Sequence, residues 1–385
     1  MLLATTKQLA RFCDAQAGAD FVTIDTEFMR ERTYYAKLCL VQVAGPKEAV
    51  AIDPLAEGMD LTPLYDLLAD KNIMKVFHAA RQDVEIFFNA TKLVPTPLFD
   101  TQVAAMVCGF GEAASYETLA DKLAKVKIDK SSRFTNWAQR PLTDRQVEYA
   151  LADVTHLRIV YEKLVAQLIK SGRSEWMCEE MAVLTDPATY ATDPYEVWKR
   201  LKLRADKPRL RALVRELAAW REREAQRLNV PRNRVLKDEA LMEIMHHAPA
   251  TTEDLMRMRG LHSGFAESRQ GEEVLTVVAR VKEMSPDQYP PNEPRRVMPN
   301  GSAAVLDLLK VLLKQVSDEH GVAAKLIATT NDLERMAAEE EPGVKAMKGW
   351  RRQLFGETAL ELKRGELALA IRGNKVVFFR DTAKA

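Results

Sequence analysis

Four carboxylates and one phenol stand at spacings that would gather them on common faces: Asp25 and Glu27 in FVTIDTEF, Asp83 in VFHAARQDVEIF, and Tyr149 with Asp153 in QVEYALADV. FVTIDTEF reads as a β-strand, where residues two apart project from one face, so Asp25 and Glu27 point together. EYALAD falls within a long helical pattern, where residues four apart are stacked neighbours, so Tyr149 and Asp153 also share a face. Carboxylates that converge repel one another and lose solvation unless positive charge lies between them. Hard divalent cations such as magnesium fill that role, because their ligands are oxygens. No competing nucleophile stands out: there is no G-x-S-x-G and no reactive-looking cysteine near a histidine.

The elements that must position these residues occupy the first segment, to about residue 175, where strand-like and helix-like patterns alternate. FVTIDTEF, LCLVQVA and AVAID follow one another through short connections, which predicts an antiparallel meander at one side of a sheet. MKVFHA is a further strand, preceded by the helical pattern LTPLYDLLAD. Helices are expected to begin near Gln82, Asp100 and Tyr116, and a long one from about Thr143, which follows Pro141 and precedes acidic and polar residues. The segment therefore predicts an α/β mixed sheet flanked by helices.

Composition changes at LTDPATYATDP, residues 184–194, which reads as a linker. From about Pro194 to Glu283 the periodicity is helical, enough for a compact bundle of four or five helices. SPDQYPPNEPRRVMPNG, residues 285–301, is a second proline-rich linker. Beyond it, a long helix, a small-residue turn and LIATTNDLERM loosely parallel the earlier NVPRNRVLKDEALMEI, which suggests a second, divergent copy of the bundle. NKVVFFRDTAKA ends the chain as a short strand or a tail. The domain limits expected are 1–184, 194–284 and 301–380, with the first 184 residues carrying all five candidate groups and able to degrade short single strands alone.

At 385 residues the chain is too long for one ordinary core. A formal net charge of +1 flags no acidic or basic partner by itself, so only segregated charge can be informative. The four cysteines, Cys13, Cys39, Cys108 and Cys178, are far apart with no Cys-x-x-Cys pair, which argues against sulfur-bound metal and against a disulfide framework. Cys39 and Cys108 sit in apolar runs and read as core residues. The N-terminus shows no basic-then-apolar signal pattern, and no apolar stretch approaches a membrane span. A cytoplasmic protein without membrane contact is expected, and nothing points to an obligate protein partner.

An acidic strand, a His-x-x-x-x-Asp segment and a later helical Tyr-x-x-x-Asp occur here in an order that resembles the 3′→5′ exonucleases named for four acidic residues, in the tyrosine-bearing branch. The chain is most similar to the ribonuclease D family. The likeness extends to LCLVQVA, LFDTQVA and DKSSRFTNWAQRPLTDRQVEYALADV. That resemblance implies a ribonuclease H-like fold for the first domain. It also implies helicase-and-ribonuclease-D C-terminal (HRDC-like) bundles for the other two, with AWREREAQRLNVPRNRVLKDEALMEI carrying the likeness in the first bundle. The implied activity is 3′→5′ exoribonuclease cleavage that releases nucleoside 5′-monophosphates, trimming the 3′ ends of transfer RNA precursors and other structured RNA. It implies two divalent ions, Mg2+ or Mn2+, held by Asp25, Glu27, Asp83 and Asp153, with Asp25 bridging both. Two such ions about 4 Å apart clamp the attacking and leaving oxygens of in-line hydrolysis. Tyr149 would orient the attacking water, since a phenol of ordinary pKa is a poor base at neutral pH.

Further candidates for contact with RNA flank these groups. The backbone at Thr26 and Phe28 could meet the terminal nucleotide, although alternation turns Phe28 away from Glu27 and towards a core. His78 ends a strand and is either a substrate contact or a histidine bonded locally. Trp137, with Gln139 beside it in NWAQRPL, either stacks a base or is buried in its own domain. His246 and His247 are consecutive and so share no helix face, which makes them surface residues rather than ligands. Lys199, Arg200, Lys202, Arg204, Lys207, Arg209, Arg211 and Arg215 are interrupted by one acidic residue, Asp206, and continue into Arg221, Arg223 and Arg227. Such a run is either a solvated face or a track for phosphates, with Arg204, Arg209 and Arg211 as its named candidates. Two other functions remain open on the residues alone. A DNA exonuclease would use the same chemistry, because the sugar is read by geometry around its 2′-hydroxyl. A nucleic-acid-binding scaffold with an inactive nuclease fold would have lost a carboxylate, and all four are present.

Overall fold

The computed structural model of the chain describes residues 1–129, 135–201, 207–262, 264–291, 299 and 301–380. The sheet-bearing part opens with β1 (Leu2–Leu3) and α1 (Thr6–Asp14), neither of which the periodicity announces. β2 (Phe21–Met29), β3 (Lys37–Ala44) and β4 (Ala49–Ile52) form the expected antiparallel meander. After α2 (Thr62–Ala69) the chain returns as β5 (Met74–Phe77), parallel to β2, and then passes through α3 (Arg81–Thr91) to β6 (Leu98–Asp100). The order β1-β4-β3-β2-β5-β6 places β2 near the middle of a mixed sheet, where its acidic face meets the helices that follow.

Those helices are α4 (Thr101–Val107), α5 (Tyr116–Leu119), α6 (Asp144–Ser171) and α7 (Ser174–Thr185). α6 starts where expected, because Thr143 and Gln146 form a reciprocal capping box, and it stops at Gly172 in the left-handed conformation. Leu157, Val160, Leu164 and Leu168 bury one stripe of α6 in the core beneath the sheet. The Thr23 hydroxyl donates to the Val154 carbonyl at 2.7 Å, which ties β2 to the middle of α6. Together with Arg158 of α6, which donates to the Phe21 and Ala44 carbonyls at 3.3 and 3.1 Å, this clamp sets the height of Asp153 relative to the strand carboxylates.

The segment 184–194 is fastened rather than free: Tyr190 is buried, packs near Phe88 with ring centroids 5.8 Å apart, and donates to the Leu184 carbonyl at 2.7 Å. The helices α8 (Pro208–Leu228), α9 (Arg232–Val235), α10 (Asp238–His247), α11 (Thr252–Met256) and α12 (Arg269–Glu283) then close a core of their own around Leu217, Leu241, Ile244, Phe265 and Val278. One contact with the sheet-bearing part comes from the loop after β2. Tyr34 donates to the fully buried Glu222 carboxylate, and the Tyr35 amide donates to Asn229 at 3.0 Å.

The last helices are α13 (Ser302–His320), α14 (Ala324–Ile327), α15 (Thr330–Ala338), α16 (Gly349–Arg351) and α17 (Glu357–Arg364). Both long helices, α8 and α13, end on a left-handed residue, Asn229 and Gly321, and both are followed by a four-residue helix closed by an extended residue, Leu236 and Ala328. The difference lies in packing. Leu309, Val316, Ile327, Trp350 and Phe355 join one continuous buried cluster with the sheet. Trp350 stacks on Trp176 of α7 at 4.2 Å and 7°, and the Ala323 amide donates to the Met106 carbonyl at 3.0 Å. The expectation that the first 184 residues suffice alone is therefore corrected: ending the chain there would strip apolar cover from α4 and α7. The end of the chain pairs as a hairpin, β7 (Leu367–Arg372) with β8 (Lys375–Arg380), resolving strand against tail.

Candidate active site

β2 delivers Asp25 and Glu27 to one face, and α6 delivers Asp153 beneath them. One carboxylate oxygen from each of Asp25, Glu27 and Asp153 lies within 4.8 Å of the others. Asp83, in the first turn of α3, stands outside that trio and is buried, with its carboxylate accepting from the Thr26 hydroxyl. Thr26 thus acts through its side chain, on the strand face opposite the pair it separates. The pocket above the trio, about 310 Å3, is lined by Asp25, His78, Gln102, Tyr116, Tyr149 and Asp153 among others, room for a group of nucleotide size.

The electrostatics of the trio follow from burial and crowding. Burial first, then Asp25, Asp153 and Asp83, push the Glu27 carboxyl up to about 9. Burial and the charge of Asp25 raise Asp153 to about 8, and burial raises Asp25 to about 6. Asp83 is raised by burial and by Asp25. Four carboxyl groups that hold protons so tightly mark a site short of positive charge, and an all-oxygen donor set of this kind suits a hard divalent cation. Among the described residues the trio is such a donor cluster.

The remaining candidates divide. His78 lines the pocket and also bonds Thr101 at 3.0 Å, and burial lowers its pKa to about 4, which keeps the ring neutral. Phe28 is half-buried and belongs to none of the buried clusters, which corrects its assignment to a core; the β2–β3 register shifts between Glu27 and Phe28. Trp137 is 3 % exposed and packs beside Tyr149, with ring centroids 6.3 Å apart. It offers no open face to a base, so its stacking role is corrected: the ring supports Tyr149 instead. Cys39 is buried, Cys108 is half-buried, and all four cysteines are free.

Residue reasoning missed two groups. Tyr116 lines the pocket, donates to the Ala152 carbonyl at 3.1 Å, and has its pKa raised by burial and then by Asp153. Asp100 accepts from the amides of Ala79, Ala80 and Gln102 at 3.0, 2.9 and 2.8 Å, holding Ala79 in the left-handed conformation beside His78. An aspartate immediately before a helix start is the cap signal that would have found it.

The basic run does not form one face. Arg211 is buried and its Nε donates to the Pro290 carbonyl at 3.4 Å, so its assignment to RNA contact is corrected to packing within the first bundle. Arg215 pairs with Glu216, Arg221 with Asp238, and Arg227 with Glu224. Arg209 is exposed. Lys202 and Arg204 lie outside the described residues. His246 and His247 are exposed, with His247 3.2 Å from Glu243.

Comparison with known proteins gives the family. A family model described as 3′-5′ exonuclease matches residues 2–169, and one described as HRDC domain matches residues 211–278. Those two matches define the class: a 3′→5′ exonuclease joined to an HRDC domain. A ribonuclease D of Nitrobacter hamburgensis is 52% identical over 376 residues, covering 98% of each chain, and one of Jannaschia sp. is 52% identical over 378 residues, covering 97% of this chain and 98% of that one. The crystal structure of Escherichia coli RNase D, an exoribonuclease involved in structured RNA processing, matches with a TM-score of 0.81 and 29% identity, covering 95% of this chain and 98% of that one. The chain belongs to the ribonuclease D family and is a 3′→5′ exoribonuclease acting on RNA. No described helix is long and apolar enough to cross a membrane.

Proposed function

We propose that Asp25, Glu27, Asp83 and Asp153 hold two divalent ions, Mg2+ or Mn2+, and that the enzyme trims the 3′ ends of transfer RNA precursors, releasing nucleoside 5′-monophosphates. The observation that carries the reading is the trio of carboxylate oxygens within 4.8 Å of one another, of which Asp25 and Asp153 line a nucleotide-sized pocket. When bound, such ions stabilise the charge that develops on the attacking and leaving oxygens. The protein's own part is placement. Asp83 stands beside the trio, with its charge acting on Glu27 and that of Asp25 acting on it, and it is oriented by Thr26. Tyr149, on the pocket wall one helical turn from Asp153, orients the attacking water, and Trp137 behind it limits the motion of the ring. His78, kept neutral by burial, faces the terminal nucleotide as a hydrogen-bonding group rather than as a cation.

The same reading divides the chain at 1–184, 194–284 and 301–380, with the third part a divergent copy of the second. The matching sequence of long helix, left-handed cap, four-residue helix and extended residue in both parts supports that division. Product analysis on end-labelled transfer RNA precursor, generic RNA and DNA, with and without Mg2+, tests the whole. Metal-dependent release of 5′-mononucleotides from the 3′ end of RNA is expected. Release of 3′-monophosphates, or equal rates with the metal chelated, would overturn it.

A further inference from the structure

A second pocket lies in the seam between the sheet-bearing part and the first helical bundle. Its volume is about 480 Å3. One wall comes from α3 and its C-terminus (Arg81, Phe88, Lys92), the other from the bundle side (Arg200, Arg232), with the loop after β2 (Arg30, Tyr35) between them. Subtracting the pairs that are already made leaves a clear excess of positive charge. Arg30 is bound in a two-pronged ion pair by Glu85 at 2.6 and 3.0 Å, and Arg232 is paired with buried Glu222. Arg81, Lys92 and Arg200 are exposed, and among the described residues none of them makes an ion pair.

The pocket and the acidic centre are built on the same two elements, the end of β2 and the start of α3. Arg30 follows Glu27 by three residues along the strand direction, about 10 Å, and Arg81 stands two residues ahead of Asp83 at the start of α3. Half-exposed Tyr35 and Phe88 add ring faces to the cations. That combination of phosphate-directed charge and aromatic surface is what single strands use to bind without sequence preference.

We propose that this seam is a binding subsite for the single-stranded RNA just upstream of the terminal nucleotide, with Arg81, Lys92 and Arg200 taking its phosphates. The subsite needs both walls, so the bundle side contributes to substrate affinity through Arg200 at the seam and not through its basic run as a whole. The proposal rests on the assignment of the acidic trio as the hydrolytic centre, which fixes where the strand's 3′ end lies.

The test is equilibrium binding by fluorescence anisotropy, in EDTA, of a 5′-labelled single-stranded RNA of about ten nucleotides to the full chain across a salt series. Each lost single-strand phosphate contact removes about 0.7 from the log–log salt slope, or about fivefold in affinity near 0.1 M salt. Arg81→Glu with Arg200→Glu should therefore flatten the slope by about 1.4 and weaken binding by about 25-fold. Lys92→Glu alone should show about half the slope change. The control, Lys170→Glu with Lys282→Glu, makes the same change in net charge at exposed sites outside the seam and should keep the wild-type slope. A double variant that melts like the wild type and binds with the wild-type slope and affinity overturns the proposal, as does a control that loses as much. The acidic-centre assignment fails by a different result, retained Mg2+-dependent hydrolysis in Asp153→Asn, so the two failures are separable.

Discussion

Asp153→Asn should abolish hydrolysis yet make the metal-free protein more stable. The amide has nearly the volume of the carboxylate, so the change removes charge and little else. Oxygens of Asp25, Glu27 and Asp153 lie within 4.8 Å of one another, and two unit charges at that separation repel by about 3.5 kcal/mol at an effective dielectric of about 20. Asp153 takes part in two such pairs, so the repulsion would be at least about 7 kcal/mol if all three were ionised. The raised carboxyl pKa values show that the site retains protons and so relieves much of this. The amide at 153 still has to be buried, which costs about 1–3 kcal/mol where its hydrogen bonds are incomplete. A net gain on the order of 1–3 kcal/mol is left, a rise in melting temperature of roughly 2–10 °C. Thermal melts in EDTA and in excess Mg2+ read both halves of the prediction: wild type should gain stability from the ion, and the variant should start higher and gain much less. A variant that melts below wild type in EDTA, or gains equally from Mg2+, would refute the claim that this trio is held together by a bound cation.

Tyr149→Phe should lower kcat by about 10²-fold with little change in KM, since the phenol acts on the water in the transition state; recovery of full rate at high Mg2+ would show that it only supports the site. Trp350→Ala should destabilise by about 3–5 kcal/mol in urea unfolding, because the ring is buried and stacked on Trp176, and a chain truncated after residue 300 should melt far below the intact protein; equal stability would mean the shared core contributes nothing. His78 has a folded pKa near 4 against an ordinary value near 6.5. As pH falls from about 6.5 to about 4 the unfolded chain takes up a proton that the native ring refuses, so stability is lost over that window, by up to about 3 kcal/mol. His78→Gln should lack that component of the acid loss, and identical stability–pH curves for the two proteins would remove the burial argument.

Much of the chemistry was legible because two short periodicities decide which side chains share a face. The two-residue repeat of FVTIDTEF puts Asp25 and Glu27 together, and the four-residue repeat of EYALAD puts Tyr149 beside Asp153, whatever the rest of the chain does. The capping box at Thr143 and the strand meander were equally local and equally readable. What the sequence could not decide was burial, because the same residue type serves both inside and outside. Trp137 and Arg211 look like nucleic-acid contacts in one dimension, and the fold buries both, the tryptophan beside Tyr149 and the arginine against the Pro290 carbonyl. Phe28 goes the other way, out of any core. Asp83 was placed near the strand acids by family resemblance alone; only β5, β6 and the Asp100-held turn at Ala79 bring α3 to Thr26. The helical segment after residue 301 reads as a free bundle because its periodicity is amphipathic. Its apolar faces instead complete the core of the sheet, since a helix pattern states that one side must be covered and leaves to tertiary packing what covers it.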